Sequence, residues 1–329
     1  MSAVRAAIAC LGAGRMGRGI AVAFAYAGYL VTMIDIKEGR SDEQFAKLES
    51  EALDEINKTL ITLTRIGMLK ETEARVVMSR ISVVPANAET AALAGAGIVF
   101  EGVPEIVELK REVLGNASKA ISPDTIVAST TSTILVDDLS GSIEGPERFL
   151  NVHWLNPAYL IPLVEISPGR ATDPDIVTRV KALLEGIGKM PVVCAATPGF
   201  IVPRIQALAM NEAARMVEEG VASAEEIDKA IRYGFGFRYA VLGLLEFIDW
   251  GGGDILYYAS RYLEGALGSE RYRAPDVISN NMRDGRIGLR TGAGFMDYSG
   301  LDVDAYRERR LADMVEMLKH FGLARPPVL

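Results

Sequence analysis

The chain has 329 residues, 49% hydrophobic and 24% charged, with a formal net charge of -8. That length suits two domains with a large buried interior, and the acidic balance argues against nucleic acid and anionic membranes as partners. An anionic substrate therefore needs a local positive group to hold it. Cys10 and Cys194 lie in apolar, strand-like runs and read as core thiols of a reducing compartment. Residues 1–5 carry no signal-peptide pattern, and the apolar stretch 20–34 is broken by Gly28 and short of the roughly 20 residues of a membrane helix. The expected location is the cytoplasm.

Residues 6–11 form a short apolar run ending in Gly12-Ala13-Gly14-Arg15-Met16-Gly17, and a small-residue helical pattern follows. This is strand, glycine turn, helix. Gly12 permits the tight turn, Gly14 lets the backbone approach a pyrophosphate, and Gly17 lets the helix pack closely on the strand. The helix N-terminus offers amide donors and a favourable dipole. A second strand, 29–34, ends in Asp35, placed for the adenosine ribose hydroxyls. A carboxylate there repels a 2′-phosphate, so the expected cofactor is NAD rather than NADP, with Lys37 and Arg40 the nearby cations that oppose this reading.

Residues 40–80 read as a charged helical hairpin: Ser41 to Gln44 caps one helix, Thr72 begins another, and Gly67 separates them. Strands follow at 81–85, 96–100 and 125–129, alternating with helical segments, which predicts a parallel, doubly wound sheet. Ligands of such a sheet sit at the carboxyl ends of its strands. Glu105, Ser132 and His153 all lie just beyond such ends. Residues 149–152 read as a buried strand that delivers His153, Asn156-Pro157 forces a turn, and residues 160–166 carry Glu165 back on a second strand. A histidine oriented by a buried carboxylate is a general base for an alcohol proton; a lone histidine is otherwise a satisfied core residue.

A helix at 174–187 and a strand at 191–194 complete the first domain, with residues 195–200 as the boundary. The predicted organisation is 1–197 for the dinucleotide domain and 198–329 for an all-helical domain serving substrate binding and dimerisation. Residues 201–219 are apolar nearly all round at helical spacing, which predicts burial on several faces. Residues 234–240 read as a glycine-hinged aromatic loop holding Arg238, and residues 291–295 as a second glycine-rich loop. Arg238 could hold a substrate carboxylate through two parallel hydrogen bonds, or pair with Glu246 or Asp249 as a staple. His320, near the end of the last helix, suits the helix dipole and is assigned no chemistry. No metal-ligand spacing, repeat or nucleophile elbow is present.

With these residues in place the chain resembles the 3-hydroxyacyl-CoA dehydrogenase family over nearly its whole length. The likeness rests on Gly12, Gly14 and Gly17, on Glu101 to Lys110, Ser129 to Ser132, His153 to Glu165, Pro198-Gly199-Phe200, and Arg286 to Phe295. It implies a Rossmann-like domain with a helical hairpin insertion, an all-α C-terminal domain that forms a homodimer, and NAD-dependent interconversion of hydroxyl and oxo groups. By resemblance His153 is the general base, Glu165 its orienting partner and Ser132 a hydrogen-bond donor to the substrate oxygen. Glu105, Lys110 and Asn156 match positions lining the cofactor or active site.

The chain departs from the family at Pro203, where relatives carry an asparagine that contacts the reacting oxygen. It departs again at Ile66 and Met68, flanking Gly67, where relatives using CoA carry lysines. Asn156 to Glu165 and Gly236 to Ala240 look more like the branch acting on free hydroxy acids, which includes carnitine dehydrogenase, gulonate 3-dehydrogenase and a pyridine-carboxylate dehydrogenase. The leading expectation is an NAD-dependent dehydrogenase of a small 3-hydroxy acid. A short-chain 3-hydroxyacyl-CoA dehydrogenase is the alternative, and a non-catalytic NAD-binding structural or sensor protein is a third reading.

Overall fold

A computed structural model describes residues 6–328. Contacts divide the chain into two compact units, one ending at Ala209 and the other beginning at Met210. That division falls inside a helix, whereas the sequence boundary at 197/198 lies in the turn before it.

The first unit is built on one eight-stranded sheet. Its strands are β1 (Ala7–Leu11), β2 (Val31–Ile34), β3 (Ile81–Val84), β4 (Ala96–Glu101), β5 (Ile126–Ser129), β6 (Phe149–Trp154), β7 (Leu163–Pro168) and β8 (Met190–Val193). They lie in the order β3-β2-β1-β4-β5-β6-β7-β8; the first six follow the order of a dinucleotide-binding doubly wound sheet. The helices are α1 (Arg15–Tyr26), α2 (Asp42–Arg65), α3 (Glu71–Met78), α4 (Glu89–Leu93), α5 (Val107–Ala120), α6 (Val136–Ser140), α7 (Pro174–Glu185) and α8 (Val202–Glu218). One apolar layer joins α1, α2, α3 and α7 to one sheet face, and a second joins α4, α5 and α6 to the other. Strands buried on both faces explain the continuous apolar runs in the sequence.

The sheet is mixed rather than wholly parallel, because β7 runs antiparallel to β6 while β8 runs parallel to β7. The connection from β6 to β7 is too short for a helical crossover, so the chain can only fold back on itself. β7 also begins at Leu163, later than the expected 160, since residues 155–161 are consumed by the turn. The predicted hairpin insertion forms as α2 and α3, with the Ser41–Gln44 capping box in place. No helix among the described residues is long and apolar enough to cross a membrane.

Three further expectations differ from the structure. Cys10 is buried, but Cys194 is only half-buried, because it follows the exposed edge strand β8. Helix α8 has no buried residue, and Leu208 is 64% exposed; its all-round apolar pattern is not covered within one copy of the chain. In the second unit, residues 231–236 form a π-helical turn rather than a loop.

That unit contains α9 (Ala224–Ala230), the π-turn (Ile231–Gly236), α10 (Phe237–Tyr239), α11 (Leu244–Gly251), α12 (Gly253–Leu267), α13 (Asp276–Arg283) and α14 (Val303–His320). Edge-to-face ring contacts (Phe235 with Tyr239 at 4.4 Å, Tyr239 with Phe247 at 5.7 Å) offset the helix penalty of the glycines there. The loop 286–296 folds around Asp249, which accepts hydrogen bonds from the Phe295 and Met296 amides, both at 2.9 Å. Gly294 is needed there: a Cβ would fall 2.1 Å from the Asp249 carboxylate.

The turn after β6 is tied down by a buried cation. Lys189 Nζ donates to the carbonyls of Ala158 (2.6 Å) and Ile161 (2.8 Å), and burial pushes its ammonium below the usual lysine range. Replacing Lys189 with Met strands two buried acceptors, each costing about 1–3 kcal/mol. Lys189→Met should therefore lower the melting temperature by several degrees, and an unchanged transition in calorimetry would show that the turn holds without it.

Candidate active site

The sequence places a glycine turn at the carboxyl end of β1, and the structure gives it the geometry a phosphate needs. Gly12 adopts φ +100°, a conformation that favours glycine. A Cβ on Gly17 would meet the Gly12 carbonyl oxygen at 2.1 Å, whereas one on Gly14 would meet nothing within 4 Å. No side chain caps the start of α1, so its first amides are free for an anion. These residues fit a bound dinucleotide pyrophosphate. Asp35 follows β2, buried, and accepts from the Lys37 amide at 3.1 Å; Arg40 Nε lies 2.6 Å from Asp35 Oδ2. The cation expected to oppose Asp35 is thus its ion-pair partner.

His153 and Glu165 face each other directly across the antiparallel β6–β7 pair. Leu150, Val152 and Trp154 alternate into one apolar layer, as do Val164 and Ile166 on β7. His153 and Glu165 therefore share the opposite face. His153 Nδ1 lies 2.7 Å from Glu165 Oε2, with the residues 6% and 1% exposed. The other oxygen, Oε1, accepts from the amides of Ile201 (2.9 Å) and Val202 (2.8 Å) at the start of α8. Two amides at a helix N-terminus thus engage the second oxygen of this buried carboxylate. The carboxylate in turn selects the Nδ1–H tautomer, leaving Nε2 as the basic nitrogen.

The turn from β8 into α8 delivers those amides. Gly199 and Phe200 both have positive φ, +76° and +44°, and a non-glycine residue there stores strain. Phe200 is buried with its ring 5.4 Å from the His153 ring. Pro203 is the second residue of α8, where a missing amide hydrogen costs nothing. Its ring offers no donor to a substrate. Burial, then the charge of nearby Glu165, push the Cys194 thiol upward and keep it protonated.

A second network lies beyond β4 and β5. Glu105 Oε1 accepts from the amides of Ser132 (3.1 Å) and Thr133 (3.2 Å), and from the hydroxyls of Thr131 and Thr133. Lys110, 1% exposed, lies 2.7 Å from Glu101 Oε1 and 3.3 Å from Glu105 Oε2. Ser129 Oγ donates to Glu101 Oε2 at 2.5 Å. Glu105 and Lys110 thus hold the loop that carries half-buried Ser132. The structure joins Glu105 to Ser132 and His153 to Glu165. Asn156, exposed in the next turn, and Arg238 join neither group.

Arg238 is exposed in the second unit. Its Nε donates to the Gly234 carbonyl at 3.0 Å and its guanidinium lies 4.9 Å from the Phe247 ring. The staple reading does not hold: Glu246 pairs with Arg310 at 2.6 Å and with Tyr306, and Asp249 is taken by the 294–298 loop. The sequence reading gave no role to Glu101, Thr131 or the Ile201 and Val202 amides. A charged residue closing the apolar strand β4 was the available signal for Glu101; nothing local marks the two amides.

Burial raises the Glu105 carboxyl, but hydrogen bonds from Thr131 and Thr133 and the Lys110 charge outweigh it and hold the group below its ordinary 4.5. Its stabilising contribution is present above that ordinary value and lost as pH falls through the lower folded value. Melting temperature should therefore fall more steeply below pH 4.5 in the wild type than in Glu105→Gln. Parallel curves in that window would remove Glu105 as a source of acid sensitivity.

Comparison with known proteins gives one family over both units. The 3-hydroxyacyl-CoA dehydrogenase NAD-binding domain matches residues 7–197 and its C-terminal domain matches residues 199–298. The chain is 31% identical to 5-formyl-3-hydroxy-2-methylpyridine 4-carboxylate 5-dehydrogenase of Mesorhizobium japonicum, covering 94% of this chain and 96% of the relative. It is 32% identical to 3-hydroxybutyryl-CoA dehydrogenase of Bradyrhizobium diazoefficiens, covering 91% and 98%. Among solved structures, a 3-hydroxyacyl-CoA dehydrogenase from Archaeoglobus fulgidus matches with a TM-score of 0.74 and 32% identity, over 97% of this chain and 100% of that one. The chain belongs to the 3-hydroxyacyl-CoA dehydrogenase family, and it is an NAD-dependent dehydrogenase acting on a CH–OH group.

Proposed function

We propose that this enzyme interconverts the 3-hydroxy and 3-oxo forms of a small free carboxylic acid, with His153 as general base. The buried bond between His153 Nδ1 and Glu165 Oε2 carries the reading. Bound NAD supplies the hydride acceptor. The hydroxyl proton goes to His153 Nε2, and Glu165 stabilises the imidazolium that results. In reduction the same nitrogen returns the proton. Ser132 hydrogen-bonds the substrate oxygen, its loop fixed by Glu105, and Asn156 borders the cofactor. Pro203 cannot supply the side-chain contact that the family's asparagine makes, so Ser132 and His153 hold that oxygen between them.

The free-acid reading is supported by Ile66 and Met68, both exposed and uncharged beside Gly67, and by the similarity to a pyridine-carboxylate dehydrogenase. Arg238 is one cation open to a carboxylate, since it makes no ion pair among the described residues. The 3-hydroxyacyl-CoA alternative is favoured by a groove of about 620 Å³ between α2 and α3, which carries Arg65 and Arg75. We place the enzyme in the cytoplasm as a homodimer whose second copy covers the apolar faces of α8.

The deciding experiment follows NADH formation with free acids and CoA thioesters of the same hydroxyacyl groups. A preference for the free acid is expected; turnover of thioesters alone would hand the assignment to the alternative. His153→Ala should lower kcat by about two to four orders of magnitude with NAD binding kept, and Glu165→Gln by less. Retention of a substantial fraction of kcat by His153→Ala, with chemistry rate-limiting, would move the base elsewhere. Asp35 should make NAD at least about tenfold better than NADP in kcat/KM. Asp35→Ala should narrow that ratio by releasing Arg40 to meet a 2′-phosphate; equal use of both cofactors by the wild type would refute the assignment.

A further inference from the structure

Strand β6 buries a second polar residue besides the histidine. Phe149 packs in the layer under α4, α5 and α6, whereas Leu150, Val152 and Trp154 belong to the opposite layer. Alternation therefore turns Asn151 to the same face as Phe149 and His153. Asn151 is 0% exposed. Its Nδ2 donates to the Ile134 carbonyl at 2.9 Å, while its Oδ1 has no hydrogen-bond partner among the described residues. Directly across the β6–β7 pair stands Ser167, also buried, whose hydroxyl has no partner among them either. A half-satisfied amide is an expensive core residue. A leucine of similar shape would suit the apolar layer beside Phe149 without that cost. What it could not supply is the bond to Ile134.

Ile134 belongs to the segment 130–135, which leaves β5 and carries Ser132. On its β4 side this segment is firmly held. Glu105 accepts from the Ser132 and Thr133 amides, and the Thr130 amide donates to the Glu101 carbonyl at 2.9 Å. The Ile134 amide donates to Thr131 Oγ1, also at 2.9 Å. On the β6 side, Asn151 supplies the one side-chain hydrogen bond to the segment among the described residues. The register sets Asn151 beside Ser129, the last residue of β5. His153 lies two residues farther along the same face, roughly 6.5 Å up the strand. Asn151 thus joins the segment bearing Ser132 to the strand bearing His153, one same-face rung below the His153–Glu165 pair.

We propose that Asn151 is a positioning residue for the reaction: it fixes Ser132 relative to His153 so that both reach the substrate oxygen together. The proposal rests on the role of Ser132 given above. Glu105 fixes the segment to the β4 side and leaves its distance from β6 to other contacts. That distance matters because a hydrogen bond to a reacting atom loses most of its value when its donor moves by about 1 Å. Asn151 touches neither substrate nor cofactor, and it acts through the Ile134 carbonyl alone.

Asn151→Ala and Ser132→Ala are combined in a double-mutant cycle, with Ser167→Ala as the control. The cycle is read in kcat, KM and NADH affinity with the best substrate, free acid or thioester. Ser132→Ala should lower kcat about a hundredfold, as loss of a donor to a reacting oxygen does. Asn151→Ala should lower it about tenfold or more, but no further than Ser132→Ala, because it acts through that residue. In the Ser132→Ala background the additional loss should be less than about twofold. NADH dissociation constants should stay within about threefold, and Ser167→Ala should keep kcat within about twofold.

An equal loss from Asn151→Ala in both backgrounds shows that it does not act on Ser132 and overturns the proposal, as does full kcat in Asn151→Ala. A loss in Ser167→Ala matching that of Asn151→Ala traces the effect to the β6–β7 rung and overturns it too. If Ser132→Ala keeps full kcat, the reading of Ser132 fails and the positioning role falls with it. An impaired Ser132→Ala in an additive cycle removes the positioning role alone. Asn151→Leu, close in shape, repeats the cycle should Asn151→Ala fail to fold. Failure of both to fold assigns Asn151 to stability and overturns the proposal.

Discussion

The antiparallel register of β6 on β7 is the constraint on which the site depends. It sets His153 opposite Glu165, and a slip of one residue would turn one of them into the apolar layer. Val152 and Trp154 on one strand and Val164 and Ile166 on the other hold that register through their burial. Each large apolar side chain buried contributes roughly 1.5–3 kcal/mol, so the core enforces the polar pair rather than the reverse. Phe24, Phe100 and Trp154 lock together beneath it at 5.4–6.0 Å between ring centres. Chemistry on one face of the strand is thus positioned by packing on the other.

A buried carboxylate is expensive unless every lone pair is engaged. Glu165 meets the requirement with an imidazole and two amides, and Glu101 with the Val103 amide, Ser129 and Lys110. The two solutions differ in net charge. Glu101 and Lys110 neutralise each other, which makes them a strut. Glu165 has no fixed cation among its hydrogen-bond partners, only dipoles and a titratable ring. That arrangement leaves room for a positive charge to appear on His153 and disappear again, as a general base requires.

Much of this was legible in the chain because the relevant signals are local. The glycine turn, Asp35 and the capped hairpin are each written in a few consecutive residues whose backbone needs are specific. His153 and Glu165 were legible as a pair because the hairpin between them is short. The return through β7 was read from the turn at Asn156-Pro157, but its start was set three residues early, since an apolar run does not mark where a turn ends. The amides of Ile201 and Val202 were invisible because any residue has one, and only the strained turn at Phe200 aims them. Apolar periodicity in α8 predicted a burial that one copy of the chain does not show, because periodicity marks which residues are apolar and not what covers them. Residues 234–240 were misread because two glycines outweighed, in sequence, the edge-to-face aromatic contacts that support the helical segment in space.

Membership of the family fixes the reaction class more firmly than the substrate, for a physical reason. In the proposed reaction the hydroxyl carbon, His153 and Glu165 form a unit that is indifferent to what lies beyond the neighbouring carbon. A free acid and a thioester differ there by a full negative charge, so the distinguishing residues must be cations or their absence. Ile66 and Met68 are exposed and uncharged beside Gly67, whereas Arg65 and Arg75 line the groove between α2 and α3. The hairpin lies outside the strands that carry His153 and Glu165, so its residues can change without disturbing the register of β6 and β7.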